Sequence, residues 1–312
     1  MKKLIYFLVS LFALLLFCVF LFIPAKIEFS TIVVMPTAEN GTQRFVSDPA
    51  QWHKWWPVDS TVKNDSGHFR WMGAAYSIQE QQYKSATIAI SFNNNHYSSQ
   101  LILIPLQKDS TIVQWKSSLN AGLNPFKRIR GYQDARQLKS GMTAVLKQLQ
   151  LFLSKTEHIY GIPIERTGTP DTILVSAKAR LAEKPGTARI YAMIQQLQGF
   201  ANKQGAKQTG IPIYNITKTE NGQYQLMCAL PIDRKLDNAA PFTIREMVKG
   251  AFMKTEVVGG EQRIEAAMAS MNQYFIDFQK VAMAIPFIMP VTDRLYQPDT
   301  SKWITRLYYP VY

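Results

Sequence analysis

The feature that most constrains the fold is an uncharged apolar run near the N-terminus. It extends from Leu4 to Ile23 and directly follows Lys2 and Lys3. An α-helix of that length spans roughly 30 Å, which is the thickness of the hydrocarbon core of a bilayer. We therefore expect residues 1–26 to form a transmembrane anchor, so the folded cores must come from residues 27–312.

A cleaved signal peptide is the alternative interpretation of this run. It requires a shorter apolar region and a small-residue cleavage site, whereas the residues after the run are Pro24, Ala25 and Lys26. Lys2 and Lys3 favour a cytoplasmic N-terminus, although Lys26 on the other side opposes it weakly. We expect a single-pass membrane protein whose domains lie outside the cytoplasm, at the bacterial cell envelope.

The chain is basic, with 35 Lys and Arg against 22 Asp and Glu and a net charge of +13. Two interpretations are open, namely attraction to anionic lipid head groups and an ordinary solvated surface. The densest basic cluster comprises Lys127, Arg128, Arg130, Arg136 and Lys139. The expected topology and the lack of a DNA-reading motif argue against nucleic acid as a partner. The two cysteines, Cys18 and Cys228, are not expected to pair.

Residues 27–157 show the pattern of an antiparallel sheet followed by a long helix. A helix over about 132–155 carries an apolar stripe at three- and four-residue spacing, formed by Leu138, Met142, Val145, Leu149 and Phe152. A helical stretch is expected at 37–50. Alternating apolar residues predict strands at 28–35, 85–92, 99–106 and 110–119. The fold class is therefore α+β, with the helix covering a curved sheet.

This segment resembles the SRPBCC superfamily, the START and polyketide-cyclase-like helix-grip fold. The resemblance rests on the tryptophan-rich turn WHKWWP at 52–57, SGHFRWMG at 66–73, TIVQWKSSL at 111–119, PFKR at 125–128 and the final amphipathic helix. It implies a cavity between sheet and helix that takes apolar ligands, with Trp55, Trp71 and Trp115 as candidate contacts. For the turn at 52–57, structural closure, cavity lining and membrane contact are all open.

Residues 158–312 contain an internal repeat. Arg189 and Pro212 are 23 positions apart, and so are Arg263 and Pro286. Strand candidates precede each copy, at 172–181 and 242–252, and proline-containing apolar strands end each copy, at 228–232 and 307–311. Each copy thus reads strand, helix, strand, strand, which predicts one pseudo-symmetric duplicated domain.

The repeat is similar to the GyrI-like effector-binding domain, a small-molecule module often attached to transcription regulators. The resemblance rests on IERTGTPDTILVSAKARL at 164–181, the helix before GIPIYNI at 210–216, QLMCALPID at 225–233 and WITRLYYPV at 303–311. It implies a ligand pocket in which many members place a glutamate two residues before a tyrosine in the penultimate strand. Here that tyrosine is Tyr296 and the position two before it holds Arg294, with the acidic residue displaced to Asp293, on the other face if the segment is a strand.

A buried Arg294 disfavours cationic ligands and favours anionic or neutral ones, while an exposed Arg294 near a loop is the alternative. The same alignment proposes four aromatic pocket residues, for which core packing is the alternative: Tyr214, Phe252, Tyr274 and Trp303. Aromatic walls suit flat apolar ligands. Glu246 is the remaining acid with a candidate pocket role.

The common catalytic motifs are absent from the sequence, and the four histidines show no metal-ligand spacing. The leading hypothesis is therefore a membrane-anchored protein that binds or senses an apolar or aromatic small molecule without catalysis, cofactor or metal. A small-molecule hydrolase or cyclase-like enzyme using Glu246 or Asp293 is the second hypothesis, and an envelope scaffold with filled cores is the third. The sequence does not identify a protein partner.

Overall fold

The chain folds into two compact units, Met1–Lys155 and Thr156–Tyr312, in the computed structural model. The structure describes residues 2–57, 68–168, 173–247, 249–282 and 284–311. The first two residues of the predicted motif at 66–73 and residues 169–172 of the predicted motif at 164–181 lie outside the described residues.

The N-terminal apolar run forms one helix, α1, over Lys2–Phe22. It is long and apolar enough to cross a membrane, and none of its residues is buried in the protein. Its length and composition fit both interpretations of the sequence, a membrane span and a signal sequence.

The rest of the first unit is a six-stranded antiparallel sheet with one long helix on it. The sheet order is β1-β6-β5-β4-β3-β2. Its elements are β1 (Lys26–Met35), α2 (Glu39–Val46), α3 (Pro49–Trp52), β2 (His68–Trp71), β3 (Ala74–Gln82), β4 (Ser85–Phe92), β5 (Asn95–Gln107), β6 (Ser110–Asn120) and α4 (Pro125–Leu153). Four of these strands were predicted, while β2 and β3 were not, and the long helix begins seven residues before its predicted start at 132.

Packing of α4 on β1 and β6 buries one face of the sheet. The predicted stripe is confirmed for Leu138, Met142, Val145 and Leu149, which are all buried. Strand β4 alternates buried and half-buried residues along its whole length, as expected for a strand with one covered face. The helical period of about 3.6 residues in α4 and the strand period of two residues therefore place apolar side chains on both sides of this interface. The interface forms the core of the first unit.

The three tryptophans of the turn at 52–57 are buried and satisfied. Trp52, Trp55 and Trp56 are 0%, 1% and 3% exposed, and their ring N–H groups donate to the carbonyls of Val46, Phe45 and Arg70. Trp52 and Trp56 stack with ring centroids 5.1 Å apart. Of the three interpretations left open for the turn, packing of the first unit therefore accounts for all three rings.

The second unit is an eight-stranded antiparallel sheet with two helices of 17 residues each, α6 and α7. Its elements are α5 (Thr156–Tyr160), β7 (Glu165–Gly168), β8 (Ile173–Leu181), α6 (Thr187–Lys203), β9 (Ile213–Lys218), β10 (Tyr224–Ile232), β11 (Thr243–Glu246), β12 (Ala251–Val258), α7 (Glu261–Asp277), β13 (Phe287–Pro290), the 3₁₀ turn Thr300–Lys302 and β14 (Ile304–Val311). The sheet order is β11-β8-β10-β9-β13-β14-β12-β7.

This order places β9 and β13 side by side at the centre, with β10 and β14 next and β8 and β12 beyond them. Each half therefore has the order strand, helix, strand, strand. The two halves meet through one register pair, Ile288 opposite Tyr214, and the Asn215 side-chain amide donates to the Pro286 carbonyl 2.9 Å away. We call this junction the central seam. A common origin of the two halves by duplication stays a prediction.

Two segments differ from their predicted structure. Residues 242–252 were predicted as one strand, but they contain β11, which pairs with β8, and the beginning of β12. Phe252 accordingly lies near the start of β12 rather than at the end of a strand. Arg294 and Tyr296 were predicted in the penultimate strand, but they lie in a turn after β13.

The core of the second unit holds Cys228, which lies on the helix-facing side of β10. The side chain is 0% exposed, and its Sγ lies 3.9 Å from the carbonyl oxygen of Ile190 on α6. Burial raises the pKa of the Cys228 thiol to about 12, because the thiolate is poorly solvated in an apolar core.

Truncation of Trp52 to alanine should lower the free energy of unfolding of the first unit by about 3–5 kcal/mol, because it empties a site packed by three other aromatic rings. Tyr83→Ala is the matched control, since Tyr83 is 75% exposed. Urea unfolding of the full chain in detergent micelles measures both. A Trp52→Ala loss no larger than that of the control contradicts the packing role.

Stability of the second unit should fall as pH rises above about 9, partly through Cys228. The unfolded thiol loses its proton near its ordinary pKa of 9.0, while the folded thiol keeps its proton up to about 12, so the unfolded state binds fewer protons in this range. The stability advantage of the wild type over Cys228→Ala should shrink by about 1.4 kcal/mol between pH 8 and pH 10. Denaturant unfolding at the two pH values tests it, and an unchanged difference refutes it.

Candidate functional site

An apolar cleft of about 260 Å³ lies at the central seam of the second unit. It is lined by Leu174, Ser176, Ile213, Tyr214, Met227, Ala229, Arg245, Glu246, Met247, Phe252, Ala284, Ile285, Phe287 and Pro310. We call it the seam cleft. Three of the predicted site residues, Tyr214, Glu246 and Phe252, contribute to its wall.

Strand alternation explains why apolar side chains gather here. In β10 the residues Leu226, Cys228 and Leu230 belong to the core beneath the helices, so Ala229 between them faces the opposite side of the sheet. Ala229, Leu174 and Ile213 form a second small core on that side. The cleft thus uses the sheet face that α6 and α7 leave uncovered.

Aromatic rings form one wall of the seam cleft. Phe252 on β12 and Phe287 on β13 meet edge to face with centroids 5.7 Å apart, and Phe287 stacks on Tyr308 at 4.9 Å. Phe252 is 4% exposed. Because these rings pack on one another as well as forming the cleft wall, their positions do not depend on a bound ligand.

Charged groups occur only at the rim of the seam cleft, among the described residues that line it. Glu246 at the end of β11 has an exposed side chain, and its Oε1 lies 3.2 Å from the Lys235 Nζ. Arg245 is its neighbour on the same short strand. An exposed ion pair of this kind contributes little to stability, so both rim charges remain accessible to a ligand.

Arg294 is buried, which decides between the two alternatives left open by the sequence. It is 6% exposed, and its guanidinium donates to the Tyr214 hydroxyl at 3.1 Å and to the Thr305 hydroxyl at 3.0 Å. The guanidinium also lies over the Trp303 ring, 4.6 Å from its centroid. Its Nε has no hydrogen-bond partner, and no carboxylate of the described residues forms an ion pair with it.

All the partners of this guanidinium are neutral, so its positive charge stays uncompensated in a buried place. Burying an ion costs several kcal/mol unless it is paired, and cation–π contact offsets about 2 kcal/mol of that. Tyr214 is part of the cleft lining, but its hydroxyl accepts the Arg294 hydrogen bond on the helix-covered face of the sheet, because Tyr214 pairs with Cys228 and belongs to the core beneath the helices. Burial raises the pKa of the Tyr214 hydroxyl, while the nearby guanidinium lowers it.

A second concavity of about 530 Å³ runs along α6 and the turn that carries Arg294. Its lining includes Tyr191, Gln195, Asp293 and Tyr296. The Tyr191 hydroxyl accepts a hydrogen bond of 2.9 Å from the Arg294 backbone N–H, which fixes the turn against the helix. Tyr296 is 85% exposed, so it stands at the edge of this groove rather than in the seam cleft.

The remaining predicted residues of the second unit lie in packed surroundings. Tyr274 on α7 is 7% exposed and contacts the rings of Tyr160 and Phe278. Trp303 is 9% exposed, and its ring N–H donates to the Gln297 carbonyl. Trp303 therefore packs against the Arg294 guanidinium and does not line the seam cleft.

In the first unit the described cavity is polar. It measures about 640 Å³ and is lined by Glu28, Phe29, Ser30, Ser98, Ser99, Gln100, Gln114, Lys116, Ser117, Ser118 and Lys139. Trp55 and Trp115 do not line it, and the Trp115 ring N–H is satisfied by the Ser99 hydroxyl at 2.9 Å. A ligand role for Trp55 and Trp115 therefore stays a prediction without support from packing.

Trp71 differs from the other two tryptophans. Its ring N–H and the nearby Tyr76 hydroxyl are both buried without a hydrogen-bond partner, and both rings lie close to Gly141 on α4. Buried donors of this kind are normally satisfied by a protein group, an ordered water or a ligand. Among the three tryptophans predicted as ligand contacts in the first unit, Trp71 is therefore the one whose ring N–H lacks an acceptor.

The sequence missed several residues that shape the seam cleft, among them Ile213, Met227 and Phe287. Ile213 and Phe287 occupy matching places, since each begins the strand that follows the helix of its half. The repeat therefore contained the signal that these two residues occupy equivalent positions in the two halves, but not that their strands are neighbours in the sheet. Met227 carried no signal beyond the alternation of its strand.

Comparison with protein-family models gave no match, and comparison with curated proteins gave none. Among solved structures, the chain is similar to the EcmrR C-terminal domain, with 13% identity over 48% of this chain and 98% of that one and a TM-score of 0.42. SAV2435 bound to tetraphenylphosphonium matches with 17% identity over 48% and 94% and a TM-score of 0.33. A hydrolase from Listeria innocua matches with 11% identity over 48% and 91% and a TM-score of 0.37. TM-scores below 0.5 do not establish a shared fold, so function rests on the residues themselves.

Tyr214→Phe should destabilise the second unit by about 1.5–3 kcal/mol, because it removes a hydrogen bond to a buried charged group. The same substitution in an Arg294→Met background should cost much less, since no guanidinium is then left without its partner. Urea unfolding of the four proteins gives the coupling free energy between the two side chains. A coupling near zero contradicts the contact.

Proposed function

We propose that the second unit binds a small apolar or aromatic molecule in the seam cleft and that α1 anchors the protein in a membrane. The observation that carries the binding proposal is the cleft itself, an apolar concavity with fixed aromatic walls and charges confined to its rim. Ligand sites in proteins have this composition, with a few polar groups that orient the bound molecule.

The size of the cleft limits the ligand. A volume of about 260 Å³ lies just below the range of roughly 300–1,000 Å³ that is typical of sites for drug-sized molecules. A planar molecule of one or two rings fits such a space. Its affinity would come from apolar burial, at roughly 25 cal/mol for each Å² removed from water.

The charge of the site favours anionic or neutral ligands over cationic ones. Arg294 places an uncompensated positive charge on the helix-covered face of the sheet, across β9 from the cleft, where the low dielectric of the core weakens screening. A cation in the cleft would be repelled, while an acidic group on the ligand would be attracted. This supports a protein that senses or carries an aromatic acid or a neutral aromatic compound.

The membrane part of the proposal rests on α1, which is apolar and has no buried residue. We propose a single-pass anchor with a cytoplasmic N-terminus, because Lys2 and Lys3 precede the helix and favour that orientation. The predicted helix-grip and GyrI-like resemblances belong to the same proposal, as does the absence of a nucleic-acid partner.

The alternative of a hydrolase or cyclase-like enzyme depends on an acid at the cleft. Glu246 is the one acid of the described residues that lines it, and its side chain is 68% exposed and paired with Lys235. Asp293 lines the groove along α6 instead. Acid–base catalysis needs a group within hydrogen-bond reach of the reacting atoms, which a rim carboxylate meets only for a ligand that protrudes.

Three matched probes test the binding proposal on the full chain in detergent micelles: 2-naphthoate, naphthalene and 2-naphthylmethylammonium. Titration calorimetry should rank their affinities in that order, with the cation weakest. Met227→Trp, which fills the cleft, should weaken 2-naphthoate binding at least about tenfold, or about 1.4 kcal/mol. Arg294→Met should remove the preference for the anion over the cation.

Thr217→Trp is the matched control, because it introduces the same side chain at an exposed position of β9 outside the cleft. It should leave the affinity of 2-naphthoate unchanged. If no probe binds, or if the two tryptophan variants weaken binding equally, the seam cleft is not the site.

A further inference from the structure

We infer that the start of α4 is a second membrane contact of the first unit, which dips into the lipid interface beside the end of α1. This contact, here called the interfacial tip, consists of Leu123, Phe126, Lys127 and Arg130. The inference rests on the proposed membrane anchor and goes beyond it, because it fixes how the first unit meets the bilayer.

Arg128 joins the tip to the end of α1. It is 6% exposed, and its guanidinium donates to the carbonyl oxygen of Ile23 at 2.8 Å and to that of Gly122 at 2.9 Å. The same guanidinium lies 4.6 Å from the centroid of the Phe20 ring. A cation at the C-terminal end of a helix satisfies carbonyl groups that lack partners within the helix and interacts favourably with its dipole.

The backbone reinforces this join. The N–H of Ala121 donates to the carbonyl of Ala25 at 2.8 Å, and β1 and β6 pair from Lys26 opposite Asn120 onward. The short connection between α1 and β1 is thus tied to the chain that leads into α4. If α1 spans the bilayer, the head-group region on that side must lie within a few residues of Ile23, which is also where the tip begins.

The composition of the tip matches that depth. Leu123 is 80% exposed and Phe126 is 71% exposed, although both are large apolar residues that cost free energy in water. Lys127 and Arg130 are exposed beside them. Apolar side chains together with basic ones suit the boundary between acyl chains and anionic head groups.

The beginning of α4 is held rigidly, so the tip needs no folding on contact with lipid. The Asn124 side chain caps the helix by accepting hydrogen bonds from the N–H groups of Phe126 and Lys127, at 2.9 and 3.2 Å. Gly131, one turn later, leaves room for Leu119, whose Cδ1 would lie 2.9 Å from an added Cβ. The tip is therefore preformed in the folded first unit.

Site-directed spin labelling of the full chain in nanodiscs tests the inference. A nitroxide is placed at Leu123→Cys in the tip, at Phe12→Cys in the span or at Tyr83→Cys in an exposed hairpin, each in a Cys18→Ala background. Cys228 is buried and stays unlabelled under native conditions. Collision with oxygen reports lipid, and collision with a water-soluble nickel complex reports water.

The label at 123 should show a several-fold higher ratio of oxygen to nickel accessibility than the label at 83. Phe126→Ser and Arg128→Gln should each shift the label at 123 towards the aqueous profile. The label at 123 should insert deeper in discs that contain phosphatidylglycerol than in discs of phosphatidylcholine alone. The double substitution Lys127→Gln and Arg130→Gln should remove this difference.

The two proposals fail in different ways. A label at 12 in lipid with a label at 123 as aqueous as that at 83 overturns the interfacial tip and leaves the anchor intact. A label at 12 exposed to water overturns the anchor itself, and the tip falls with it.

Discussion

The second unit depends on the central seam, where two halves of a sheet join through one short pairing. Ile288 faces Tyr214 across it, and few backbone hydrogen bonds are available there compared with the pairings inside each half. Side chains must therefore contribute to the join. Tyr214 does so through its hydroxyl, which holds Arg294 from the turn after β13. The same residue is part of the seam cleft's lining, so the join and the site share one position of β9.

The repeat in the sequence predicted the order of elements in each half but not how the halves meet. Two helices of 17 residues follow Gly186 and Gly260, and the strands after them begin at Ile213 and Phe287, 74 positions apart in each comparison. Periodicity reports which face of an element is buried. It does not report which strands become neighbours across a sheet, so the position of β11 beside β8 and the location of the cleft came only from the structure.

The site residues separate by how their positions are determined. Tyr214 and Phe252 occupy strands, where alternation and neighbouring elements constrain the side chain, and both reach the cleft. Tyr296 and Arg294 occupy a turn, where no periodicity applies, and one is 85% exposed while the other is 6% exposed. The role of the three tryptophans at 52–57 was open from the sequence, because three large rings close together fit packing, cavity lining and membrane contact alike. In the structure their ring N–H groups donate to backbone carbonyls inside the core, which identifies packing.

Arg128 and Arg294 show why residue type alone does not assign a role to a buried cation. Both are 6% exposed. Arg128 donates to the carbonyl oxygens of Phe20 and Ile23 at the end of α1, whose partial negative charge compensates the guanidinium, so its position is structural. Arg294 donates to two hydroxyls and lies over two aromatic rings. These neutral groups compensate its charge less well than helix-end carbonyls do, and its Nε has no partner. A buried donor of this kind is normally satisfied by a protein group, an ordered water or a ligand, and of these an acidic group would also compensate the positive charge.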